Sequence, residues 1–417
     1  MRFTGHGPLV TRAIMRAVDS TTRLEATPPL RWMTRGVMGV GLASLFSDWG
    51  HELGTALLPV LLAGLGAPAY ALGVIEGVAD GLSSFAKLAG GWLADRPAWR
   101  KPLAVCGYLV TGLSTFAFGF VTSWPQILGA RAIGWIGRGV KGPSRDVLLT
   151  QAVPPERLGR AFGFERGMDT LGAVLGPLTA TALVAATSVS TAMRWTLLPG
   201  ALAALTIGAL VRDAGKAGHA HSPRSGFLAS LRELPAPFGR VLGSIFVFGL
   251  GDFAKTLLIL RATILLAPRY GALKAGTFAV GLYTLHNAFY AVSCFPAGAL
   301  SDRGGKRGLL AGSYLMMAAT YAGFVLAGPN LLTLAALFAM AGIAVAGHVT
   351  LEKSLSADLL PVERRGTGFG ALATVNGVGD FVSSVTVGVL WSAVSPGAGF
   401  AYAAGCTALG AVLLFLR

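Results

Sequence analysis

The sequence predicts an all-α membrane protein with twelve transmembrane helices, arranged as two pseudo-symmetric six-helix bundles. Three observations predict it. Of 417 residues, 53% are hydrophobic and only 13% charged, with a mean hydropathy of +0.63, which excludes a soluble enzyme and a disordered chain. The apolar stretches run uninterrupted far beyond the roughly 10-residue alternating strands of a membrane barrel, which leaves helices, whose backbone groups are satisfied within the segment. Residues also recur between the two halves of the chain at one constant offset.

The first 35 residues hold no apolar core. They carry Arg2, Arg12, Arg16, Arg23, Arg31 and Arg35, so 1–35 reads as a basic cytoplasmic tail rather than a signal peptide or a span. Apolar segments follow at 36–62, 70–93, 103–122, 126–150, 161–187 and 191–211, then at 240–266, 274–300, 308–327, 331–357, 368–394 and 399–416. We number them segments 1 to 12. A span takes about 20 residues, so twelve consume most of the length and exclude a sizeable soluble domain. The polar stretch 212–239, with His219, His221, Pro223, Pro235 and Pro237, reads as a cytoplasmic linker between an N-terminal bundle at 36–211 and a C-terminal bundle at 240–417.

The formal charge of +15 comes from 34 Lys and Arg against 19 Asp and Glu. It is topological rather than a nucleic-acid footprint: the tail, the inner loops and the linker are basic, whereas the outer loops hold only Arg269 and Lys274. This bias places both termini in the cytoplasm. Cys106, Cys294 and Cys406 lie far apart in apolar runs and read as small hydrophobes.

Gly91 and Gly298, Asp95 and Asp302, and Arg96 and Arg303 are each 207 residues apart, as are Pro154/Pro361, Glu156/Glu363, Gly159/Gly366, Phe162/Phe369 and Gly163/Gly370. One offset shared by two separate loop pairs marks a parallel repeat about an axis along the membrane normal, so one half can rock against the other.

Gly91-Trp-Leu-Ala-Asp95-Arg96 with Arg100-Lys101, and Gly298-Ala-Leu-Ser-Asp302-Arg303-Gly304-Gly305-Lys306-Arg307, resemble the loop signature of the major facilitator superfamily. The second copy is cleaner, since Pro97-Ala98-Trp99 interrupt the first. Arg131-Ala-Ile-Gly134 is similar to the family's motif in segment 4, and Gly172-Ala-Val-Leu-Gly176-Pro177 to its antiporter motif in segment 5, with Ala180 and Thr181 in place of the expected glycines. The resemblance, covering the chain from residue 36, implies the superfamily's fold, alternating access, and a gate at Gly91, Asp95, Arg96, Gly298, Asp302 and Arg303. The location expected is a bacterial inner membrane, and the chain is expected to work as a monomer. It names no substrate.

Charges inside a bilayer cost about 2.5–3.5 kcal/mol each on insertion scales, so each needs a partner, a wet cavity or a task. Asp48/Glu52, Glu76/Asp80 and Glu165/Asp169 are spaced i,i+4, each pair on one helix face. Like charges that close oppose joint ionisation, so such a pair can carry a proton. Asp48, Glu52, Glu165 and Asp169 are the proton-coupling candidates. Arg131, Arg138 and Arg145 recur every seven residues with Lys141 between the last two, a basic stripe that faces either the acids or an anionic substrate. The offset aligns Arg145 with Glu352 and Lys141 with His348, giving the halves opposite polarity. His348 and Glu352 form either a proton relay or half of a divalent-metal site. Asp252, three residues before its candidate partner Lys255, and Tyr283 and Asn287, on a polar face shared with His286 and Tyr290, complete the substrate candidates.

The function expected is secondary active transport, with proton-coupled efflux of a small polar or charged solute, a metal ion or a metal complex among them. No Walker-type sequence occurs, and no cofactor is needed if a proton gradient drives the cycle. An organic-anion carrier using the segment 4 stripe and a non-transporting assembly factor are the alternatives. The partners are the lipid bilayer and the solute.

Overall fold

The computed structural model describes residues 32–68, 70–213 and 226–416, without the side chains of 70, 73, 76, 77, 80, 81, 272 and 273. The tail before Trp32, His219 and His221, and the carboxylates of Glu76 and Asp80 therefore lie outside the described residues.

The described chain is all-α, and its helices coincide with the apolar stretches. Segments 1 to 5 are Arg35–Gly64, Tyr70–Ala94, Pro97–Ala117, Trp124–Gln151 and Leu158–Ala186. Segment 6 is a short turn of helix, Val189–Arg194, followed by Leu197–Leu210. Segment 7 is divided into Ala236–Gly249 and Thr256–Tyr270. Segments 8 to 12 are Ala272–Ser301, Lys306–Leu326, Leu331–Leu359, Arg365–Ala393 and Pro396–Leu413. Polar caps start several of them: Thr34 accepts from the Val37 amide, Ser188 from Thr191, Asn330 from Leu332 and Thr333, and Ser395 from Ala398. Pro and positive-φ Gly set the connections, with Gly304 and Gly305 at φ 110° and 70° turning the chain between segments 8 and 9.

Among the described residues, seven helices are long and apolar enough to cross a membrane. Segment 4 is not one of them, because Arg131, Arg138, Lys141, Arg145 and Asp146 all lie along it. Segment 7 falls short because it breaks. Gly249 and Gly251 lower its helix propensity, and Gly251 lies so close to segment 12 that a Cβ would stand 2.5 Å from the Ala403 carbonyl. The freed Ala254 amide donates to Ser384 Oγ at 2.9 Å. A helix broken at membrane depth is tolerated where protein groups or a cavity satisfy its backbone.

Segments 5 and 8 pack along each other, as do segments 2 and 11, joining the first six segments to the last six. We call the side where segment 6 ends and segment 7 begins the linker face.

Candidate functional site: a charged cavity between the halves

A cavity of about 270 Å³ lies where segments 1, 2, 4 and 5 meet segments 10 and 11. Its lining includes Lys87, Arg138, Lys141, Arg145, Arg166 and Lys353, and against them Asp48, Asp146, Asp169, Glu352 and Asp380.

Segment 4 supplies the basic side. Arg138 Nη2 lies 2.8 Å from Asp48. Arg145 Nη1 lies 2.8 Å from Glu165 and 3.9 Å from Asp169, donates to Ser44 at 3.0 Å, and its Nη2 reaches Asp146 at 3.1 Å. Asp169 takes a second arginine, Arg166, at 2.5 Å. The paired acids of segment 5 are thus not left to repel each other: Glu165 is assigned to Arg145 and Asp169 chiefly to Arg166. Removing one partner from such a buried set costs about 3–5 kcal/mol, because it orphans the other charge. Glu52 joins none of these pairs; its Cβ backs the close approach of Gly176 to segment 1. Lys141 is buried, hydrogen-bonded to Ser47, with its ammonium 4.2 Å above the Tyr108 ring. Arg131 does not line the cavity. It bonds Thr55 at 3.3 Å and lies 5.4 Å from the Trp135 ring, beside a small void shared with His51.

The last six segments supply a different arrangement. Glu352 accepts from Tyr314 Oη at 2.7 Å and from Asn376 Nδ2 at 2.8 Å. His348 stands between acids, Nδ1 3.6 Å from Glu352 and Nε2 3.8 Å from Asp252, with neither ring nitrogen hydrogen-bonded and the ring 4.8 Å from that of Phe248. Asp252, in the segment 7 break, is held by Lys255 and by Tyr321 Oη at 3.1 Å. The expected metal pair gains no further ligand: no cluster of three or more His, Cys, Asp or Glu able to hold a metal occurs among the described residues, and the nearest acid, Asp252, is engaged by an ammonium. Tyr283 stacks on His286 with centroids 5.7 Å apart. Neither Tyr283, Asn287, Asp252 nor His348 is among the residues lining the cavity.

Sequence reasoning missed Asp146 and Lys353, which join the halves at the cavity. Lys353 Nζ lies 2.9 Å from Asp146 and 3.8 Å from Glu165. The signal was present, since the two stand 207 residues apart. It also missed Lys87, Arg166, Asn376 and the helix break.

On the linker face the two repeated loops make mirrored contacts. Asp95 accepts from the amides of Gly366 at 2.7 Å and Thr367 at 3.0 Å, and from the Thr367 hydroxyl, at the start of segment 11. Asp302 accepts from the amides of Gly159 at 2.7 Å and Arg160 at 3.2 Å, at the start of segment 5. Each carboxylate meets a helix N-terminus, where unpaired amides and the helix dipole favour it. Burial pushes Asp95 up to about 6 against these hydrogen bonds and the nearby Arg364, and pushes Asp302 up in the same way against its amides, Lys306 and Arg160. The sequence ranks the second copy as the cleaner gate; the structure gives the first copy more hydrogen bonds, because Thr367 adds its hydroxyl where Arg160 adds a guanidinium at 3.6 Å, an ion pair beyond hydrogen-bond reach. Gly91 and Gly298 allow the approach: a Cβ on Gly298 would stand 2.0 Å from the Gly159 carbonyl, and one on Gly91 2.3 Å from that of Gly366. Arg96 lies 4.1 Å over Trp92, Arg303 is exposed, and Arg100 binds the carbonyls of Ala94 and Asp95.

The sequence profile described as Major Facilitator Superfamily matches residues 33–277 and 242–417. The chain belongs to the major facilitator superfamily. It is 26% identical over 389 residues to an uncharacterized MFS-type transporter of Methanocaldococcus jannaschii, covering 93% of this chain and 96% of that one. Among solved structures it is similar to a bacterial homologue of the iron transporter ferroportin in an outward-facing state, with a TM-score of 0.75, 15% identity, and 91% and 98% of the two chains covered. The human organic anion transporter MFSD10 gives a TM-score of 0.70 at 17% identity, over 93% and 100% of the chains. At these identities the solved structures establish the superfamily fold alone. Family and fold make this chain an integral membrane transporter rather than an enzyme.

Proposed function

We propose that the chain is a proton-driven antiporter that exports a small charged solute by alternating access. The observation that carries this reading is the charged cavity between the halves, closed toward the linker face by the mirrored Asp95 and Asp302 contacts. With the linker face cytoplasmic, as the basic loops there favour, the arrangement is outward-facing, both termini are cytoplasmic, and the membrane is a bacterial inner membrane. The antiporter-like Gly172 and Gly176 support exchange: both bring the segment 5 backbone onto segment 1, at Leu45 and Glu52–Leu53.

In this reading the protons exchange at Asp48 and Asp169, which line the cavity beside Arg138 and Arg166, with Glu165 and Glu52 behind them. Protonating either cavity acid releases its arginine, and deprotonating it recaptures the arginine, so proton and solute compete for the same groups. Structural neighbours are named for different cargo, one an organic anion transporter and another a homologue of an iron transporter, so the cargo is to be read from the cavity itself.

Reconstitution in proteoliposomes holding a pH-sensitive dye tests the proposal. Solutes that are transported should dissipate an imposed pH gradient, and Asp48→Asn should abolish that coupling while the protein still folds. Solute flux of equal rate with and without the gradient would refute it.

A further inference from the structure

The cavity charges left without an opposite charge are segregated by half. On segment 4, Lys141 is 4% exposed and bonds only a hydroxyl and a ring face, with no carboxylate within 4 Å among the described residues. One helical turn before it, Arg138 spends Nη2 on Asp48 and keeps Nη1 buried without a partner. Across the cavity, Glu352 is 2% exposed and its oxygens are met by the neutral donors Tyr314 and Asn376, with the His348 ring 3.6 Å away and not hydrogen-bonded to it, and no Lys or Arg within 4 Å among the described residues. Asp380, one turn along segment 11 from Asn376, lines the same space, is more exposed than Glu352 and joins no ion pair within 4 Å among the described residues. A buried charge held only by neutral groups is costly. Here the costs have opposite sign on opposite walls, and the walls stand apart instead of pairing directly.

We propose that the cavity binds a small zwitterion. Lys141 and Arg138 take its anionic group, and Glu352 and Asp380 take its ammonium. The inference rests on the reading of this cavity as the transport site. A molecule bearing both charges satisfies both walls at once; a simple anion leaves Glu352 and Asp380 unmatched, and a simple cation leaves Lys141 unmatched. At about 270 Å³ the space falls just below the roughly 300–1,000 Å³ of drug-sized pockets, which suits a molecule of amino-acid size. A zwitterion spanning the two walls would also tie segment 4 to segments 10 and 11, the elements that move apart when the halves rock.

The test is calorimetric binding to the purified full chain in detergent, with two probe series that differ in charge separation. One is leucine, 4-methylpentanoate and 3-methylbutylammonium; the other is 6-aminohexanoate, hexanoate and hexylammonium. At least one zwitterion should bind roughly tenfold or more tightly than both its singly charged partners, since each charge-assisted contact is worth about that factor or more. Glu352→Gln should bring that zwitterion down to the level of its matched anion, and Lys141→Met to the level of its matched cation. A matched anion or cation binding as tightly as its zwitterion, or no binding by either zwitterion, overturns the inference. The wild-type comparison stands if a variant fails to fold. Solute-coupled proton flux in proteoliposomes with an anion or cation alone would overturn it while leaving the proposed antiport intact.

Discussion

Asp146 and Lys353 occupy the same position in the two repeats, 207 residues apart, and meet as an ion pair at 2.9 Å. Phe162 and Phe369 share the offset and also touch, with ring centroids 5.8 Å apart. Residues related by a twofold repeat can meet only on or beside its axis, so these two pairs mark the pseudo-twofold axis that relates the halves. The ion pair breaks the symmetry, since an acid from one half meets a base from the other.

Lys353→Met should shift the conformational balance toward opening on the linker face. Asp146 keeps Arg145, so the loss should be smaller than the about 3–5 kcal/mol of a fully orphaned buried charge. Spin labels at Trp99 and Val362, exposed linker-face positions in opposite halves, should move apart in a larger fraction of molecules. A distance distribution identical to wild type would remove the pair from the gate.

The glycine contacts predict a stronger effect. Gly298→Ala places a Cβ against the Gly159 carbonyl, a backbone atom that cannot swing away, so the closed linker face becomes inaccessible and the labels should report mainly the long distance. Gly281→Ala, with nothing within 4 Å of the added Cβ, should leave the distribution unchanged.

Closure should depend on pH through Asp95. In the closed form its carboxyl is pushed up to about 6 by burial, whereas freed into water it returns to about 3.9. The closed form therefore binds more protons between those values, so its contribution to closure is complete below about 4 and is lost as pH rises through about 6. Asp302 shifts in the same direction. The short-distance population should grow from pH 8 to pH 5, and Asp95→Asn should flatten much of that slope, as read by the same labels across a pH series.

Stability should report the break in segment 7. Gly251→Ala must displace backbone near Ala403, a misfit that costs about 1–3 kcal/mol. Its melting temperature in detergent should fall clearly below that of Gly281→Ala; equal values would mean that the close packing on segment 12 is not required.

Much of this was legible in the sequence, for physical reasons. A bilayer imposes span length and apolarity on every helix, so the number and approximate places of the segments and the loop repeat could be read, although segment 3 begins at Pro97 rather than 103. The partners of the charges could not, because Arg138 reaches Asp48 and Arg145 reaches Glu165 through the packing of segments 1, 4 and 5, which spacing along one helix does not encode. Arg131 followed the same seven-residue rhythm yet lies beside Trp135 and His51, outside the cavity. The broken segment 7 reads in sequence as one continuous apolar stretch, since hydropathy does not register Gly251 packing on segment 12. Asp146 and Lys353 obeyed the repeat, but being of opposite charge they did not register as a repeated pair.

The central claim is that the two halves rock against each other across the Asp146–Lys353 contact, opening one face as they close the other. Paired distance measurements test it most directly, one pair of spin labels at Trp99 and Val362 on the linker face and another at Thr187 and Val394 on the opposite face. Going from wild type to Gly298→Ala, the first distance should lengthen and the second shorten. Both distances moving in the same direction, or the first changing while the second stays fixed, would contradict the account.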